Sequence, residues 1–347
     1  MKPIRLIELF AGIGAQASAL SRLNNVPYEL YKISEWEINA VASYKAMHYE
    51  NDNIDYSLGL TTPDLTQKLY DFGISTDGKE PMSFEQIQRK SVEWKRTVYN
   101  NFRATHNLGS ICNFHGKDLE IVDKDTYQYW LFYSYPCQDL SVAGKQQGMQ
   151  KDSGTRSGLL WEVERLLNEC EELPQVLIME NVPQVHGEKF LHDFTLWLRF
   201  LESKGYHNFW DDLNAKNYGV AQNRDRTFCV SFLDDVVFNF PKPIPLEKTI
   251  KDYLEDNVDE KFYINSDKAK QLIDKLIVDG TLPTNERTNE RTNERTNERT
   301  AIDLSTNEPG QITVANCISA RTDRGISARR AEGSGVCELQ QDRTDGC

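Results

Sequence analysis

Residues 5–35, RLIELFAGIGAQASALSRLNNVPYELYKISE, decide the fold. RLIELF is a short apolar run of buried-strand type, GIGAQASALSRL is a turn entering a helix, and YELYKISE is a second strand. That alternation is a βαβ unit. Further along, YWLFYSY (129–135) and VLIMENV (176–182) repeat the central-strand pattern, with a glycine-rich loop and the helix-like GLLWEVERLLNECEEL between them. Apolar spacing is helical from Phe190 to Leu201, and NFWDDLNA and RTFCVSF are strands that close the sheet. The expected fold class is α/β, a doubly wound and mostly parallel sheet.

Residues 60–112 interrupt this pattern. They are polar, broken by Pro63, Gly73, Gly78 and Pro81, and read as an insertion. Its helix, at about 83–103, is expected to turn Arg89, Lys90, Glu93, Lys95 and Arg96 to solvent. The sheet domain runs over 1–245, ending where Pro241-Lys-Pro243-Ile-Pro245 marks a change of composition. The remainder, 246–347, reads as a smaller, irregular region: acidic and polar over 247–262, with an amphipathic helix at 266–278. Residues 284–299 repeat Thr-Asn-Glu-Arg four times. Solenoid units are longer and bury an apolar face, so this run reads as a solvated linker. A repeated tetranucleotide ACGA encodes the same tetrapeptide, and gain or loss of one unit shifts the frame. The gene is therefore expected to be phase-variable.

The chain has 347 residues, 39% apolar and 27% charged, with 15 Phe, 15 Tyr and 6 Trp. That supports about two domains with a substantial core. No apolar run approaches the roughly 20 residues that span a bilayer, and the N-terminus lacks the pattern of a secretory signal. A soluble, cytoplasmic protein with no membrane partner is expected. A net charge of −13 argues against a generic nucleic-acid coat, which needs an overall basic field, but leaves room for a local basic cleft. The 7 cysteines, widely and irregularly spaced, form neither a disulfide framework nor a metal-binding pair. Reduced thiols and no metal are expected.

Several residues stand where chemistry is done in α/β sheets. Glycines in Phe10-Ala11-Gly12-Ile13-Gly14, between first strand and first helix, let the backbone approach a ligand. The spacing is not that of GxGxxG, since Ala17 stands three residues after Gly14, so a tight turn without a ligand remains open. Glu35 ends the second strand and precedes Trp36. Its carboxylate suits two ribose hydroxyls while the indole packs on an adenine, and a capping Glu with a core Trp fits equally. Asp118, in Gly116-Lys117-Asp118-Leu119, suits an adenine amino group or an exposed turn. Cys137, in Tyr135-Pro136-Cys137-Gln138-Asp139-Leu140-Ser141, stands at the carboxyl edge of the sheet at the root of a glycine-rich loop. A nucleophile under a lid and a small buried hydrophobe are the two readings. Glu180 ends a buried strand, where a carboxylate is costly without a partner or a function. Arg224 and Arg226, in Gln222-Asn223-Arg224-Asp225-Arg226, are the candidate partners.

Taken in order, FAGIG, EW, GKDL, YPCQDLS, ENVP and YGVAQNRDR resemble the motifs of the DNA cytosine-5 methyltransferases, over residues 4 to about 232. The resemblance implies an S-adenosylmethionine pocket built from Phe10, Gly12, Gly14, Glu35, Trp36, Asp118 and Leu159. Ala15 stands where many members carry a further glycine. Cys137 corresponds to the nucleophile, Glu180 to the acid that holds the cytosine N3 and amino edge, and Arg226, supported by Arg224, to the contact with O2. Contacts with DNA fall to Gln138 and Ser141. The cytosine must leave the duplex stack to be reached.

The segment beyond about 245 is the expected target-recognition region. Arg321, Arg324, Arg329 and Arg330 within ISARTDRGISARR suit phosphate and guanine contacts. Double-stranded DNA is the expected partner, with a restriction endonuclease as companion in a bacterial or phage restriction-modification system. Two family features do not occur: the late arginine-glutamate segment with its GFP-like turn, and the terminal Gly-Asn-Ser/Ala-type motif. A truncated product, or completion by a second polypeptide, is the resulting expectation. The competing readings are an inactive cofactor- or DNA-binding fragment and an RNA cytosine-5 methyltransferase. A nicotinamide oxidoreductase fits the α/β pattern but leaves PCQ, ENV and QxRxR unexplained.

Overall fold

The computed structural model describes residues 2–23, 25–140, 148–151, 153–255, 258–259, 266–278, 328–330 and 337–339. Ser141, Arg321, Arg324 and the Thr-Asn-Glu-Arg run lie outside the described residues. The chain divides into two compact units, Met1–Glu247 with Ala328–Glu338, and Lys248–Ser327 with Leu339–Cys347.

In the first unit, six apolar runs form one sheet: β1 (Ile4–Leu9), β2 (Tyr28–Ser34), β3 (Gln128–Tyr133), β4 (Val176–Asn181), β5 (His207–Asn214) and β6 (Asp225–Phe232). Their order is β2-β1-β3-β4-β6-β5. The first four are mutually parallel, while β6 runs antiparallel between β4 and β5. Alternate residues of a strand face opposite sides, and β3 feeds two different cores. Tyr129, Leu131 and Tyr133 pack with Val163 and Leu166 of α6 (Leu160–Glu169) and with Phe194 and Trp197 of α7 (Leu191–Ser203). Trp130 and Phe132 pack instead with Ala17 and Leu20 of α1 (Ala15–Leu20) and Tyr44 of α2 (Ile38–His48). Helices therefore cover both faces of an α/β, mostly parallel, doubly wound sheet. Burial on both sides is why its strands read as continuous apolar runs.

The insertion differs from its expected form. In place of one helix at 83–103 there are two, α4 (Phe84–Gln88) and α5 (Val92–Ala104), preceded by α3 (Thr62–Asp71). Ser83 and Ser91 each accept a backbone N–H as N-caps, so the sequence carries two helix starts. Nor do all five charges face solvent. Lys95 is buried and donates from Nζ to Gln88 O at 3.0 Å, across the break between α4 and α5. Arg96 donates to Ser57 O at 3.0 Å and to its Oγ at 2.7 Å. Leu65, Leu69, Ile87, Val98 and Phe102 close an apolar core of their own on Val41 of α2. The polar composition of 60–112 reflects its outer faces.

The second unit contains α8 (Asp267–Val278), and a helical turn at Ile250–Tyr253 is capped by Thr249 and Asp252. β7 (Ala328–Arg330), which includes Arg329 and Arg330, lies in the segment Ala328–Glu338 that groups with the first unit, and it pairs with β8 (Cys337–Leu339). Among the described residues, no helix is long and apolar enough to cross a membrane.

Candidate active site

Three parallel strands deliver their carboxyl ends to one edge of the sheet, and the loops that leave β1, β3 and β4 carry the residues of interest. Cys137 lies four residues past the end of β3, half-buried and packed against the main core. The neighbouring strand β4 ends in Glu180 and Asn181. Asn181 donates from Nδ2 to Tyr135 O at 3.0 Å and accepts Val182 N at 2.8 Å, which ties the end of β4 to the residues just before Cys137.

Glu180 meets its arginines because β6 is antiparallel. Glu180 stands opposite Phe228 and Asn181 opposite Thr227, so Arg226 is a diagonal neighbour of Glu180 on the same face. Arg226 Nε lies 2.8 Å from Glu180 Oε1, with both side chains 20% exposed. Arg224 Nη2 is more distant, at 4.0 Å. Arg226 Nη1 donates to Asp225 O at 2.6 Å. The approach to β6 is shaped by Asn214, which donates to Asn223 Oδ1 and Asp225 Oδ1, both at 2.7 Å, and accepts Lys216 N and Arg224 N. Beside this pair opens a polar cavity of about 570 Å³ walled by Gln184, Asp212, Gln222, Arg224 and Arg226, among others.

The loop around Cys137 is gripped from the short helical turn Ser157–Leu159 that leads into α6. Ser157 Oγ donates to Pro136 O at 2.6 Å and accepts Asp139 N at 3.3 Å, while Ser157 N donates to Asp139 Oδ2 at 3.1 Å. Next to it, Arg156 donates to the exposed Gln138 side chain at 2.6 Å and to Gly78 O of the insertion.

A second, more enclosed cavity of about 220 Å³ is lined by Phe10, Ser34, Glu35, Trp36, Gly109, Ser110, Ile111, Cys112, Pro136, Arg156 and Leu159. It brings together four of the seven residues expected to hold a cofactor: Phe10, Glu35, Trp36 and Leu159. Gly12, Gly14 and Asp118 are not in its wall. The two glycines have different roles. At Gly12, with φ +56°, a Cβ would meet nothing within 4 Å, so the backbone is open to a ligand. At Gly14, with φ +82°, a Cβ would stand 2.4 Å from His48 Nε2 and 2.7 Å from Tyr44 Cε2, so glycine is needed for α2 to pack. Asp118 caps its own turn, accepting His115 N at 2.8 Å.

Glu35 is more occupied than the sequence suggests. Its Oε1 accepts Trp36 N and Glu37 N, and its Oε2 accepts Gly12 N, each at 2.9 Å. A carboxylate offers about four lone-pair sites, so one remains on Oε2 where two ribose contacts were expected. Burial pushes the Glu35 carboxyl up from its ordinary range against the pull of those three N–H groups. Asn107 holds the backbone here, accepting Glu35 N and Gly109 N and donating to Glu35 O at 2.9 Å. Asn107 and the wall residues Gly109–Cys112 were missed in the sequence because they follow the insertion and carry no motif of their own.

Beneath the glycine turn lies Glu8, 1% exposed on β1. It accepts Tyr44 OH at 2.5 Å and Ala17 N at 3.3 Å, and burial pushes its carboxyl up to about 7.

Comparison with known proteins adds the following. The family model for C-5 cytosine-specific DNA methylase matches residues 78–333. Over 270 residues the chain is 39% identical to the type II methyltransferase M2.ScrFI of Lactococcus lactis subsp. cremoris, covering 77% of this chain and 71% of that protein. Over 271 residues it is 36% identical to the orphan methyltransferase M.SssI of Spiroplasma monobiae, covering 76% and 68%. The type II methyltransferase M.Bsp6I of a Bacillus species is 34% identical over 203 residues, covering 54% and 61%.

Proposed function

The chain belongs to the C-5 cytosine-specific DNA methylase family, and from that premise we propose that it methylates C5 of a flipped-out cytosine in duplex DNA, using S-adenosylmethionine and a transient bond from Cys137 Sγ to cytosine C6. The observation that carries the reading is the meeting of two strand ends: Asn181 ties the Cys137 loop to β4, whose Glu180 is paired at 2.8 Å with Arg226.

In this mechanism the Cys137 thiolate adds to C6, and the π electrons of the C5–C6 bond move to C5. Glu180 in its protonated form gives its proton or a hydrogen bond to N3 and accepts one from the exocyclic amine, neutralising charge that develops as the thiolate adds. Arg226 spends Nε on Glu180 and Nη1 on Asp225 O, which leaves Nη2 to reach the cytosine O2. After C5 is methylated, a base removes its proton, the C6–S bond breaks and the thiolate departs. S-adenosylmethionine supplies the electrophilic methyl group when bound. The space above Gly12 and the wall of Phe10, Glu35, Trp36 and Leu159 fit a nucleoside, with the open site on Glu35 Oε2 taking one ribose hydroxyl.

Residues 1–245 would then be the catalytic domain and 246–347 part of a target-recognition region, with the arginines at 321, 324, 329 and 330 directed to DNA. Gln138 and Ser141 would touch DNA beside the flipped base, and Gly14 and Asp118 would support the cofactor pocket from behind its wall. We place the gene in a restriction-modification setting, alongside a cognate endonuclease, and read its tetranucleotide repeat as a phase switch. Invariant repeat number across clones of one population would count against the switch. The test of the activity is covalent capture: duplex DNA bearing 5-fluorocytosine should form a denaturation-resistant complex with this chain when S-adenosylmethionine is present. Absence of that complex from folded protein would remove the reading.

A further inference from the structure

One buried hydroxyl joins the nucleophile loop to the wall of the cofactor cavity. Ser157 is wholly buried. Its hydroxyl bonds to Pro136 O and Asp139 N, and its own N–H to the Asp139 carboxylate, so it grips the backbone on both sides of Cys137. Cys137 itself makes no side-chain hydrogen bond among the described residues, and its placement therefore depends on that backbone. Asp139 is 5% exposed, and the Ser157 N–H is its side-chain oxygens' hydrogen-bond partner among the described residues. A buried carboxylate is costly, so one kept in a loop points to a need for the contact. On the other side, Pro136, Arg156 and Leu159 all line the 220 Å³ cavity. A ligand in that cavity bears on the same turn that carries Ser157.

We propose that Ser157 is a positioning residue that transmits occupancy of the cofactor cavity to the reach of Cys137 Sγ. This rests on the function proposed above. With the hydroxyl in place, a filled cavity holds the Pro136–Leu140 backbone at the distance the C6 bond requires. Without it, ligand binding and thiolate addition become independent.

Thiolate addition labilises the hydrogen at C5, so tritium release from plasmid DNA labelled at cytosine C5 reads addition alone when S-adenosylhomocysteine, which has no methyl to give, fills the cavity. In the unmodified protein S-adenosylhomocysteine should accelerate release. In Ser157→Ala that acceleration should fall about tenfold, the rate equivalent of roughly 1.4 kcal/mol. The dissociation constant for S-adenosylhomocysteine should move less than about threefold, because the cavity wall stays intact. Asp139→Ala should behave like Ser157→Ala, and Asp139→Asn, which keeps an acceptor for Ser157 N–H, should recover the acceleration. The proposal is overturned if Ser157→Ala keeps the acceleration, or if binding, release and melting temperature decline together in all three variants. If the unmodified, folded protein releases no tritium at all, the proposed function falls, and this inference with it.

Discussion

Replacing Glu8 with glutamine is expected to stabilise the protein at about pH 8 by roughly 3 kcal/mol. Glu8 sits almost without solvent under the glycine turn, and its carboxyl is pushed up from 4.5 to about 7 chiefly by desolvation, against the hydrogen bonds from Tyr44 and the start of α1. Between those two values the folded chain holds a proton that the unfolded chain has released. Stability from this group is therefore complete below the unfolded value, declines as pH rises through the window, and is gone above about 7. Glutamine keeps an oxygen for Ala17 N and carries no charge to desolvate. His106 titrates in the opposite sense: burial lowers its pKa from 6.5, so its contribution grows with pH. That effect is common to both proteins and cancels in their difference. Urea unfolding followed by tryptophan fluorescence, from about pH 4.5 to 8, gives the difference curve directly. A flat curve, or a glutamine variant less stable at the upper end, would refute the claim that desolvation dominates at Glu8.

Other perturbations separate the roles of the site residues. Cys137→Ser should abolish methyl transfer and capture of 5-fluorocytosine DNA while leaving S-adenosylmethionine binding, read by calorimetry, within about twofold, since the Sγ is not in the wall of the enclosed cavity. Arg226→Ala leaves Glu180 with only Arg224 at 4.0 Å. The lost pair lies between the exposed and buried extremes, so a cost of about 1–2 kcal/mol in a urea melt is expected, against less than about 0.5 kcal/mol for Arg224→Ala. Equal losses would mean the 2.8 Å contact is not the one that matters. Gly14→Ala should destabilise by more than about 2 kcal/mol, because the new methyl meets His48 and Tyr44 in a left-handed backbone. Gly12→Ala should cost about 1 kcal/mol in stability yet weaken S-adenosylmethionine binding more than tenfold, because its methyl points into open space. The comparison fails if Gly12→Ala binds normally.

The strands were legible because burial on both faces writes them as unbroken apolar runs, and β1, β3 and β4 begin within a residue of their expected starts and each stops one or two residues short of its expected end. The insertion was less so. Its average polarity concealed the periodic apolar positions of α3 and α5, and Lys95 shows why a charged residue is a poor marker of exposure: its long stem packs while the ammonium finds a carbonyl on the preceding helix. Within the site, residues that lie in motifs were visible and those that hold them were not. Ser157 and Asn107 act largely through backbone atoms of their neighbours, and hydrogen bonds to backbone leave no requirement on the partner's residue type. The sequence thus shows which groups are available, while their spacing in three dimensions depends on contacts it does not spell out.

The reversal of β6 is what converts separate motifs into one constellation. In a parallel sheet every strand presents its carboxyl end to the same edge, so Cys137 and Glu180 arrive there after β3 and β4 with no further device. An arginine leading into a parallel strand would arrive at the opposite edge. Running antiparallel, β6 begins where β4 ends, and Arg226 enters opposite the last turn of chain that carries Glu180. The arrangement is sensitive to register, because a slip of one residue moves every side chain of a strand to the other face. Deleting one residue between Arg226 and Phe228 would leave β6 free to pair through its apolar positions 228, 230 and 232 only by turning the guanidinium away from Glu180. Such a variant is expected to retain its fold by circular dichroism and to lose methyl transfer. Retained transfer would show that the ion pair across these two strands is not required for it.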